Sequence, residues 1–265
     1  TMGGTWDLFR YPGIRSDSDM QTLGYSFKPW EGAKAIADGP SILDYVRETA
    51  AEHAVDQHIR YGHRLISASW SSEQSLWTLE VRQADSEKTV QMTCDFLYMC
   101  AGYYSYEKPH DPQFPDVASF KGKVVHPQFW PNDLDYQDKT VVIIGSGATA
   151  MTLVPAIAKK AKQVTMLQRS PTYVFSRPSE DWFANSLRKI LPATLAYAVT
   201  RVRNTLFQEF IFKLARKYPT VAKRFLIQKL RKQLGADYDV DKHFTPNYNP
   251  WEQRLCLVPD DDLFK

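Results

Sequence analysis

One stretch, residues 137–169, constrains the fold more than any other part of the chain. It consists of an apolar strand-like run, KTVVIIG, a helical run, SGATAMTLVPAIAKKA, and a second strand-like run, KQVTMLQR. A strand, a tight turn, a helix and a neighbouring strand form a βαβ unit, whose two strands are parallel. We therefore predict an α/β protein with a Rossmann-like unit. Pro155 falls inside the helix and is expected to kink it or to cost stability.

The turn between the first strand and the helix fits the pattern G-x-G-x-x-G/A. The first glycine permits the tight turn, the second lets the backbone approach a pyrophosphate, and a small last residue lets the helix pack on the strand. Phosphates would lie at the helix N terminus, where free N–H groups and the helix dipole favour negative charge. The predicted cofactor-binding residues here are Gly145, Ser146, Gly147, Ala148, Thr149 and Ala150. The alternative is a glycine turn in an ordinary α/β unit.

The end of the second strand indicates which nucleotide would bind. A site for NAD or FAD places Asp or Glu there, to accept hydrogen bonds from the ribose hydroxyls. This chain has Gln168-Arg169-Ser170 instead. A carboxylate would repel a 2′-phosphate, whereas a guanidinium forks onto one. We therefore predict that these three residues bind NADPH rather than NADH.

The region before this unit predicts a different kind of substructure. Apolar residues at helical spacing indicate a helix over 41–55, with Ser41 as its N-cap. Three strand-like runs separated by short polar turns indicate an antiparallel meander. These runs are residues 58–71, 76–83 and 89–102. Because the last run is long and apolar, we expect its end near Met99 and Cys100 to be buried.

Residues 181–235 differ from the rest of the chain in charge. They contain twelve Lys or Arg and two Asp or Glu. Prolines 192 and 219 divide the segment, and apolar residues recur at helical intervals, so we predict two or three amphipathic helices. The recurring residues are Leu206, Phe210, Phe212, Leu214, Phe225, Leu226 and Leu230. Basic amphipathic helices can make peripheral contact with an anionic membrane; the alternative is a solvated helical insertion that covers the nucleotide-binding domain.

Composition restricts the remaining classes. The net charge of +3 is too small to imply nucleic acid, and no apolar run reaches the roughly 18 residues that a membrane span needs. The first residues, TMGGTWDLF, lack the basic start and apolar stretch of a secretory signal. Cys94, Cys100 and Cys256 favour reduced, buried thiols and no metal site. We therefore expect a cytoplasmic protein.

A loop just before the glycine turn carries a second pattern. Residues 120–131, FKGKVVHPQFWP, match F-x-G-x-x-x-H-x-x-x-W-P at every fixed position. This pattern resembles the fingerprint of Baeyer–Villiger monooxygenases, which are class B flavoprotein monooxygenases, and it precedes the NADPH turn in that family too. The alternative is a loop whose Phe and Trp are core residues and whose histidine is an ordinary buried or surface group.

Two further stretches agree with this resemblance. Residues 3–17, GGTWDLFRYPGIRSD, resemble the family's flavin-contacting segment, G-G-T-W-x-x-x-R-Y-P-G-x-x-x-D. Residues 253–256, QRLC, resemble its K-R-L-C stretch. Within the family, the sequence is most similar to the ethionamide-activating type. The resemblance implies FAD contacts from Thr5, Trp6, Asp7, Leu8, Arg15, Ser16, Asp17 and Leu65.

The resemblance also implies a reaction. In the family, NADPH reduces FAD, the flavin captures O2 as a C4a-peroxyflavin, and one oxygen atom enters beside a ketone carbonyl or is transferred to sulfur in thioethers and thioamides. The implied catalytic residues are Arg254, Asp17 and His126. Arg254 would supply a permanent cation beside a peroxide anion, and Asp17 would hold Arg254 and the nicotinamide carboxamide. His126 would control rotation between the two cofactor domains.

The surroundings of Arg254 predict where the substrate binds. Aromatic residues between Phe244 and Trp251, followed by the apolar run LCLV, favour burial of Arg254 near a pocket. With the Tyr103–Tyr104 pair, they suggest a broad apolar site for a small ketone, thioether or thioamide.

Together these patterns predict a Rossmann-like NADPH domain with a helical insertion, and a partial FAD domain that carries an antiparallel β-meander. The predicted segments are a partial FAD domain at 1–103, a linker with the fingerprint at 104–136, the NADPH unit at 137–180, the insertion at 181–235 and a return segment at 236–265. The family's N-terminal FAD turn and its second flavin half have no match here. We therefore expect the middle section of a monooxygenase, able to touch the flavin without retaining it. The alternative function is an NADPH-binding module without oxygenase activity.

Overall fold

Three small β-sheets and eight α-helices make up the part of the chain that the computed structural model describes, residues 1–86 and 88–265. The helices are α1 (Thr5–Leu8), α2 (Met20–Leu23), α3 (Gly39–Glu52), α4 (Ala148–Ala158), α5 (Trp182–Leu187), α6 (Ala193–Lys217), α7 (Pro219–Leu234) and α8 (Val240–Phe244). The strands are β1 (His63–Ser71), β2 (Leu76–Gln83), β3 (Thr89–Cys94), β4 (Thr140–Ile144), β5 (Gln163–Leu167), β6 (Tyr173–Arg177) and β7 (Leu255–Pro259). The predicted α/β class is confirmed.

β1, β2 and β3 form an antiparallel meander, as predicted. Trp70 lies opposite Trp77, and such cross-strand aromatic pairs stabilise a sheet. The third strand ends at Cys94, earlier than predicted, and Met99 is 60% exposed. The prediction of a buried end was wrong because the chain leaves the sheet after Cys94 and its next apolar side chains face solvent.

The three cysteines have different surroundings. Cys256 is buried in β7, Cys94 is half-buried and Cys100 is exposed, and all three are free thiols. The prediction of buried thiols was therefore wrong for Cys100, because this residue lies in the irregular segment after β3.

β4, α4 and β5 form the predicted unit, in which the two strands are parallel. One face of this sheet packs on α4, and the apolar side chains shared there are Val141, Ile143, Val164, Leu153 and Ile157. On the other face Ile144 is 56% exposed, so α4 covers one side of the sheet. Pro155 lies inside α4 and removes one N–H donor from the helix ladder.

β6 and β7 are parallel neighbours, although the helical insertion lies between them in sequence. α6 begins after Pro192 and α7 begins at Pro219, so the predicted breaks are confirmed. α7 packs on β6 in the largest core cluster, whose buried members are Met151, Tyr173, Val174, Leu226, Ile227, Leu230, Val240, Phe244, Tyr248, Cys256 and Val258. No helix among the described residues is both long and apolar enough to cross a membrane.

α3 begins two residues earlier than predicted and has a different N-cap. The carboxylate of Asp38 accepts a hydrogen bond from the backbone N–H of Ser41 at 3.0 Å. Ser41 was predicted to be the cap. That prediction was wrong because Pro40 is compatible with the first helical turn, which lets the helix start before Ser41.

Candidate functional site

The glycine turn leaves an open surface at the N terminus of α4. Gly145 has φ +133°, which favours glycine, and its N–H donates to the carbonyl of Leu167 at 2.8 Å. A Cβ built on Gly147 would meet no heavy atom within 4 Å. Within the described chain the helix also has no side-chain cap. The free N–H groups of its first turn therefore lie beside open space in which a pyrophosphate would fit.

Two of the predicted cofactor-binding residues use their side-chain or carbonyl groups to brace the turn. Ser146 is buried, and its hydroxyl donates to the carbonyl of Ser170 at 3.1 Å. Thr172 donates to the Ser146 hydroxyl at 3.2 Å. Ala150 is 5% exposed, as expected for a small residue that lets the helix pack closely. These contacts fix the shape of the turn.

The first two residues after β5 have different surroundings. Gln168 donates from Nε2 to the carbonyl of His243 at 2.6 Å, so its side chain is tied to α8. Arg169 is exposed and takes part in no ion pair within the described residues. Because β4 and β5 are parallel, Arg169 lies at the same sheet edge as the glycine turn. It is a free cation at the edge where phosphates would bind.

The predicted flavin-contacting segment begins with the short helix α1. Thr5 is exposed, Trp6 packs against two core clusters, and Leu8 packs against one of them. Leu65 is half-buried in β1 and belongs to none of the core clusters described here. Of these predicted residues, Trp6 and Leu8 pack against core clusters and Leu65 is not among the packed residues.

Asp7 is held by two arginines. Its carboxylate lies 2.9 Å from the Arg10 guanidinium and 3.1 Å from that of Arg47. A side-chain hydrogen bond with Thr1, together with these two cations, lowers the pKa of Asp7 below its ordinary value. The carboxylate thus serves the local structure of the segment.

Arg15 and Ser16 are also engaged within the protein. Arg15 forms a two-point ion pair with Asp262, and the longer of its two contacts, Nη2 to Oδ1, is 3.3 Å. Ser16 is buried, and its hydroxyl accepts from the N–H of Ala37 at 3.2 Å. These contacts link the segment to the far end of the chain and to the start of α3.

The same segment packs directly on α4. Its apolar residues share a cluster with the helix, whose buried members are Phe9, Tyr11, Ile14, Leu153 and Ile157. Gly13, at φ +77°, lets the segment lie close to α4, since a Cβ there would lie 2.8 Å from Cβ of Ala156. Burial raises the pKa of Tyr11, and a side-chain hydrogen bond with Thr149 opposes that rise. α4 therefore contacts the segment with its middle and with Thr149 in its first turn, while the space beside Gly147 stays open.

Asp17 and Arg254 lie in one region, around Cys256. Burial raises the pKa of the Cys256 thiol to about 11; the charge of Asp17 adds to the rise and that of Arg254 opposes it. Both charged side chains are exposed, and no ion pair joins them in the described part of the chain. The predicted burial of Arg254 was wrong because this residue lies in the turn just before β7.

The Tyr103–Tyr104 pair borders the same region. Its ring centroids are 4.4 Å apart, and Tyr104 meets Phe9 edge-on at 4.8 Å. A hydrogen bond from Tyr103 raises the pKa of Tyr104 to about 12, with burial and the charge of Asp17 among the further causes. Phe244, by contrast, is buried in the core. The part of the apolar site predicted around that residue was therefore wrong.

Sequence reasoning did not assign a role to Tyr11 or Cys256. Each lies inside a quoted motif, R-Y-P-G or Q-R-L-C, and this position is the only sequence signal for either. Their burial and their contact with predicted site residues follow from the packing of distant segments.

His126 caps a short 3-10 turn in the fingerprint loop. Its Nδ1 accepts from the N–H of Gln128 at 3.2 Å, and Gln128 donates to the carbonyl of Ser105 at 2.5 Å. Partial burial, followed by the charge of His110, lowers the pKa of His126, and Asp111 opposes the change. The loop therefore favours a neutral imidazole whose Nδ1 is an acceptor.

Comparison with known proteins places these features in a family. The FMO-like family, described as flavin-binding monooxygenase-like, matches residues 34–231. The chain is 52% identical over 266 residues to the FAD-containing monooxygenase EthA of Mycobacterium tuberculosis (strain CDC 1551 / Oshkosh), covering 100% of this chain and 54% of that protein. It is 50% identical over 265 residues to the probable FAD-binding monooxygenase AlmA of Acinetobacter baylyi, covering 100% of this chain and 53% of that protein.

A solved structure has the same fold. The oxidized steroid monooxygenase bound to NADP superposes with a TM-score of 0.78 at 24% identity, over 100% of this chain and 57% of that one. The chain spans about half the length of the curated relatives that it matches. Because the family match extends over most of its residues, the chain belongs to the flavin-binding monooxygenase-like family.

Proposed function

We propose that this chain forms the central part of an FAD- and NADPH-dependent monooxygenase of Baeyer–Villiger type. The observation that carries the proposal is the double use of α4. Its N terminus is open at the sheet edge that carries Arg169, and its middle packs on residues 9–14 of the flavin-contacting segment. Two cofactor regions that meet on one helix are held close together, and hydride transfer between cofactors requires such proximity.

The residues present fit a bound NADPH at the glycine turn. A Cβ on Gly145 or Gly147 would meet open space within 4 Å, which leaves room for a close backbone approach. When bound, NADPH would supply hydride and FAD would pass the electrons to O2. The first turn of α4 would hold the pyrophosphate, and Arg169 the 2′-phosphate.

The nucleotide assignment is tested by changing Arg169 to Ala. We expect the Kd and the KM for NADPH to rise at least about tenfold, because a charge-assisted bidentate contact is lost, and those for NADH to stay nearly unchanged. Binding measured by nucleotide fluorescence does not require a loaded flavin. Lys162→Ala is the matched control, since Lys162 is an exposed cation at the opposite end of β5. Equal losses for both nucleotides would contradict the assignment.

We propose that Arg254 supplies the cation beside developing negative charge, and that Asp17 orients Arg254 and the nicotinamide carboxamide. Both side chains are exposed in one region and free of each other, which supports ligand contact. With FAD and NADPH supplied, Arg254→Ala should lower substrate oxidation by about a hundredfold. Arg82→Ala is the control, since Arg82 is an exposed arginine on β2. Equal product yields from the two variants would contradict this role.

We propose that His126 controls the relative rotation of the two cofactor regions. The Nδ1 contact with Gln128 supports a positioning role in the loop. His126→Ala should slow turnover while FAD reduction, measured by rapid mixing, stays within about tenfold of normal. Loss of NADPH binding would refute the hinge. Residues 9–14 belong to the predicted FAD domain, which ends at residue 103, yet they pack on α4 of the NADPH unit. A rotation between the two regions must therefore either move residues 9–14 together with α4 or break this packing.

We propose that the organic substrate is a small apolar ketone, thioether or thioamide. The exposed aromatic pair Tyr103–Tyr104 beside Asp17 supports an apolar surface next to a charged group. The measurement is O2 consumption by FAD-loaded protein with a cyclic ketone, a thioether and a thioamide, against a carboxylic acid as control. Stimulation by the acid alone would contradict this substrate class.

We propose a cytoplasmic location with peripheral membrane contact through 181–235. α7 buries Leu226 and Leu230 against β6, which supports the covering role for that helix. α6 differs because its outward side chains are apolar and exposed. Cell fractionation at low and high salt tests the location, since a peripheral protein leaves the membrane fraction as salt rises.

A second candidate function is an NADPH-binding module without oxygenase activity. The open glycine turn favours it, since this one site is built by consecutive residues of the chain. The absorbance spectrum of the purified protein, with and without added FAD, separates the two functions. A yellow protein that oxidises NADPH in response to substrate supports the monooxygenase, and a colourless protein that still binds NADPH supports the module.

A further inference from the structure

The outward face of α6 carries an apolar stripe, here called the α6 stripe. Its members recur at spacings of three and four residues, so they share one side of the helix. They are Leu195, Val199, Val202, Leu206 and Phe210, and their exposed fractions are 50%, 40%, 58%, 60% and 60%. At the rise of an α-helix the stripe is about 22 Å long.

Polar contacts on the opposite face fix the orientation of α6. Asn204 and Gln208 donate to the buried carboxylate of Asp19 at 3.0 Å and 2.7 Å. Arg201 donates to the carbonyl of Gln21 at 3.0 Å. A surface helix of a globular protein usually turns its apolar side inward. In α6 the polar side faces the protein and is hydrogen-bonded to it, so the α6 stripe faces outward.

The two helices of the insertion carry an excess of positive charge. α6 and α7 contain ten Lys or Arg, and Glu209 is their one acidic residue. Four of these cations pair with acidic side chains, namely Arg203, Lys213, Arg216 and Arg231. Lys213 pairs with Glu209 at 2.6 Å. Lys217, which continues the spacing of the stripe, and Arg224 are exposed and have no ion-pair partner in the described chain. The aromatic ring of Phe225 on α7 is 60% exposed beside Arg224 in sequence.

We infer that the α6 stripe docks on an anionic lipid surface, with α6 lying in the plane of the interface. Leu, Val and Phe side chains enter the boundary between headgroups and acyl chains, while Lys217 and Arg224 bind the lipid phosphates. A second copy of this chain fits less well. Two identical faces would bring the same positive charges together, and like charges oppose association.

Docking would also position the flavin-contacting segment. The residues that hold α6, Asp19 and Gln21, follow Asp17 closely in sequence, so α6 is bonded to the stretch that continues the segment. A substrate dissolved in lipid would then have a short path to the candidate site. Docking deepens the peripheral contact proposed for 181–235, and the path of the substrate rests in addition on the proposed monooxygenase function.

Vesicle sedimentation tests the docking. Purified protein should sediment at low salt with phosphatidylcholine vesicles that contain a third phosphatidylglycerol, and weakly with phosphatidylcholine alone. Leu206→Asp with Phe210→Asp should lower partitioning at least about tenfold, because charged groups resist entry into the interface. Phe96→Asp is the matched control and should leave it unchanged, since Phe96 is 79% exposed outside the stripe.

A second variant separates charge from apolar insertion. Lys217→Gln with Arg224→Gln should weaken binding to the anionic vesicles and reduce its salt dependence. Circular dichroism checks that α6 remains helical in every variant. The inference is overturned if wild-type protein does not sediment, or if Phe96→Asp has the same effect as the stripe variant. It is also overturned if the stripe variant abolishes self-association in sedimentation velocity while no form binds vesicles.

Discussion

The two candidate cofactor regions are built in different ways. The dinucleotide turn, residues 145–150, is formed by consecutive residues between β4 and α4, and its outer side is open. The flavin-contacting segment, residues 3–17, is held by residues far away in sequence, such as Ala156 and Asp262. We therefore expect substitutions in the turn to act first on ligand binding, and substitutions in the segment to act first on stability.

The largest expected effect is at Gly13. A valine there would have a strained left-handed backbone, and its Cβ would lie 2.8 Å from Cβ of Ala156. Strain and overpacking together should lower the free energy of unfolding by about 3 kcal/mol. Urea unfolding measures the change. An unchanged midpoint would show that the segment does not depend on its contact with α4.

At Gly147, in the dinucleotide turn, we expect a substitution to weaken ligand binding and to leave stability nearly unchanged. It has φ −86°, and a Cβ would meet no heavy atom within 4 Å, so Gly147→Val should change the unfolding free energy by less than about 0.5 kcal/mol. The added side chain would occupy the space that a pyrophosphate needs. We expect NADPH to bind about tenfold or more weakly, measured by titration of nucleotide fluorescence. A stability loss as large as that of Gly13→Val would remove the contrast between the two regions.

A smaller effect is expected at Asp262. Asp262→Asn removes the charge that pairs with Arg15, and both side chains are largely buried. The loss should be about 1 kcal/mol in thermal or urea unfolding. Asp135→Asn, at an exposed pair with Lys139, is the control and should have no measurable effect. If the two variants behave alike, the Arg15–Asp262 pair does not anchor the segment.

The smallest effect concerns the loop between the regions. Partial burial lowers the pKa of His126, so the folded protein binds a proton there less readily than the unfolded chain. The stability from this group is present above the ordinary pKa of histidine and is lost as pH falls through the folded-state pKa. NMR titration should give a midpoint below the ordinary value. A midpoint above it would mean that Asp111 dominates over burial and His110.

The candidate site could be predicted in part. The glycine turn, the position of Arg169 directly after β5 and the helix breaks at Pro192 and Pro219 were predicted because each depends on neighbouring residues: backbone conformation, strand period and the missing N–H of proline. The exposure of Arg254 was not, because burial depends on how the turn before β7 sits in the fold. The roles of Asp17, His126 and Arg254 stay predictions.

Local patterns alone determined the parallel unit at 137–169, the meander, and the motif that links the chain to its family. Tertiary packing alone decided that Gly13 touches Ala156, that Asp17 and Arg254 share the neighbourhood of Cys256, and that the α6 stripe faces outward. The physical reason is the distance along the chain over which each interaction acts. Hydrogen-bond ladders and turn angles are set within a few residues, whereas burial and charge proximity depend on which distant surfaces meet when the chain is folded.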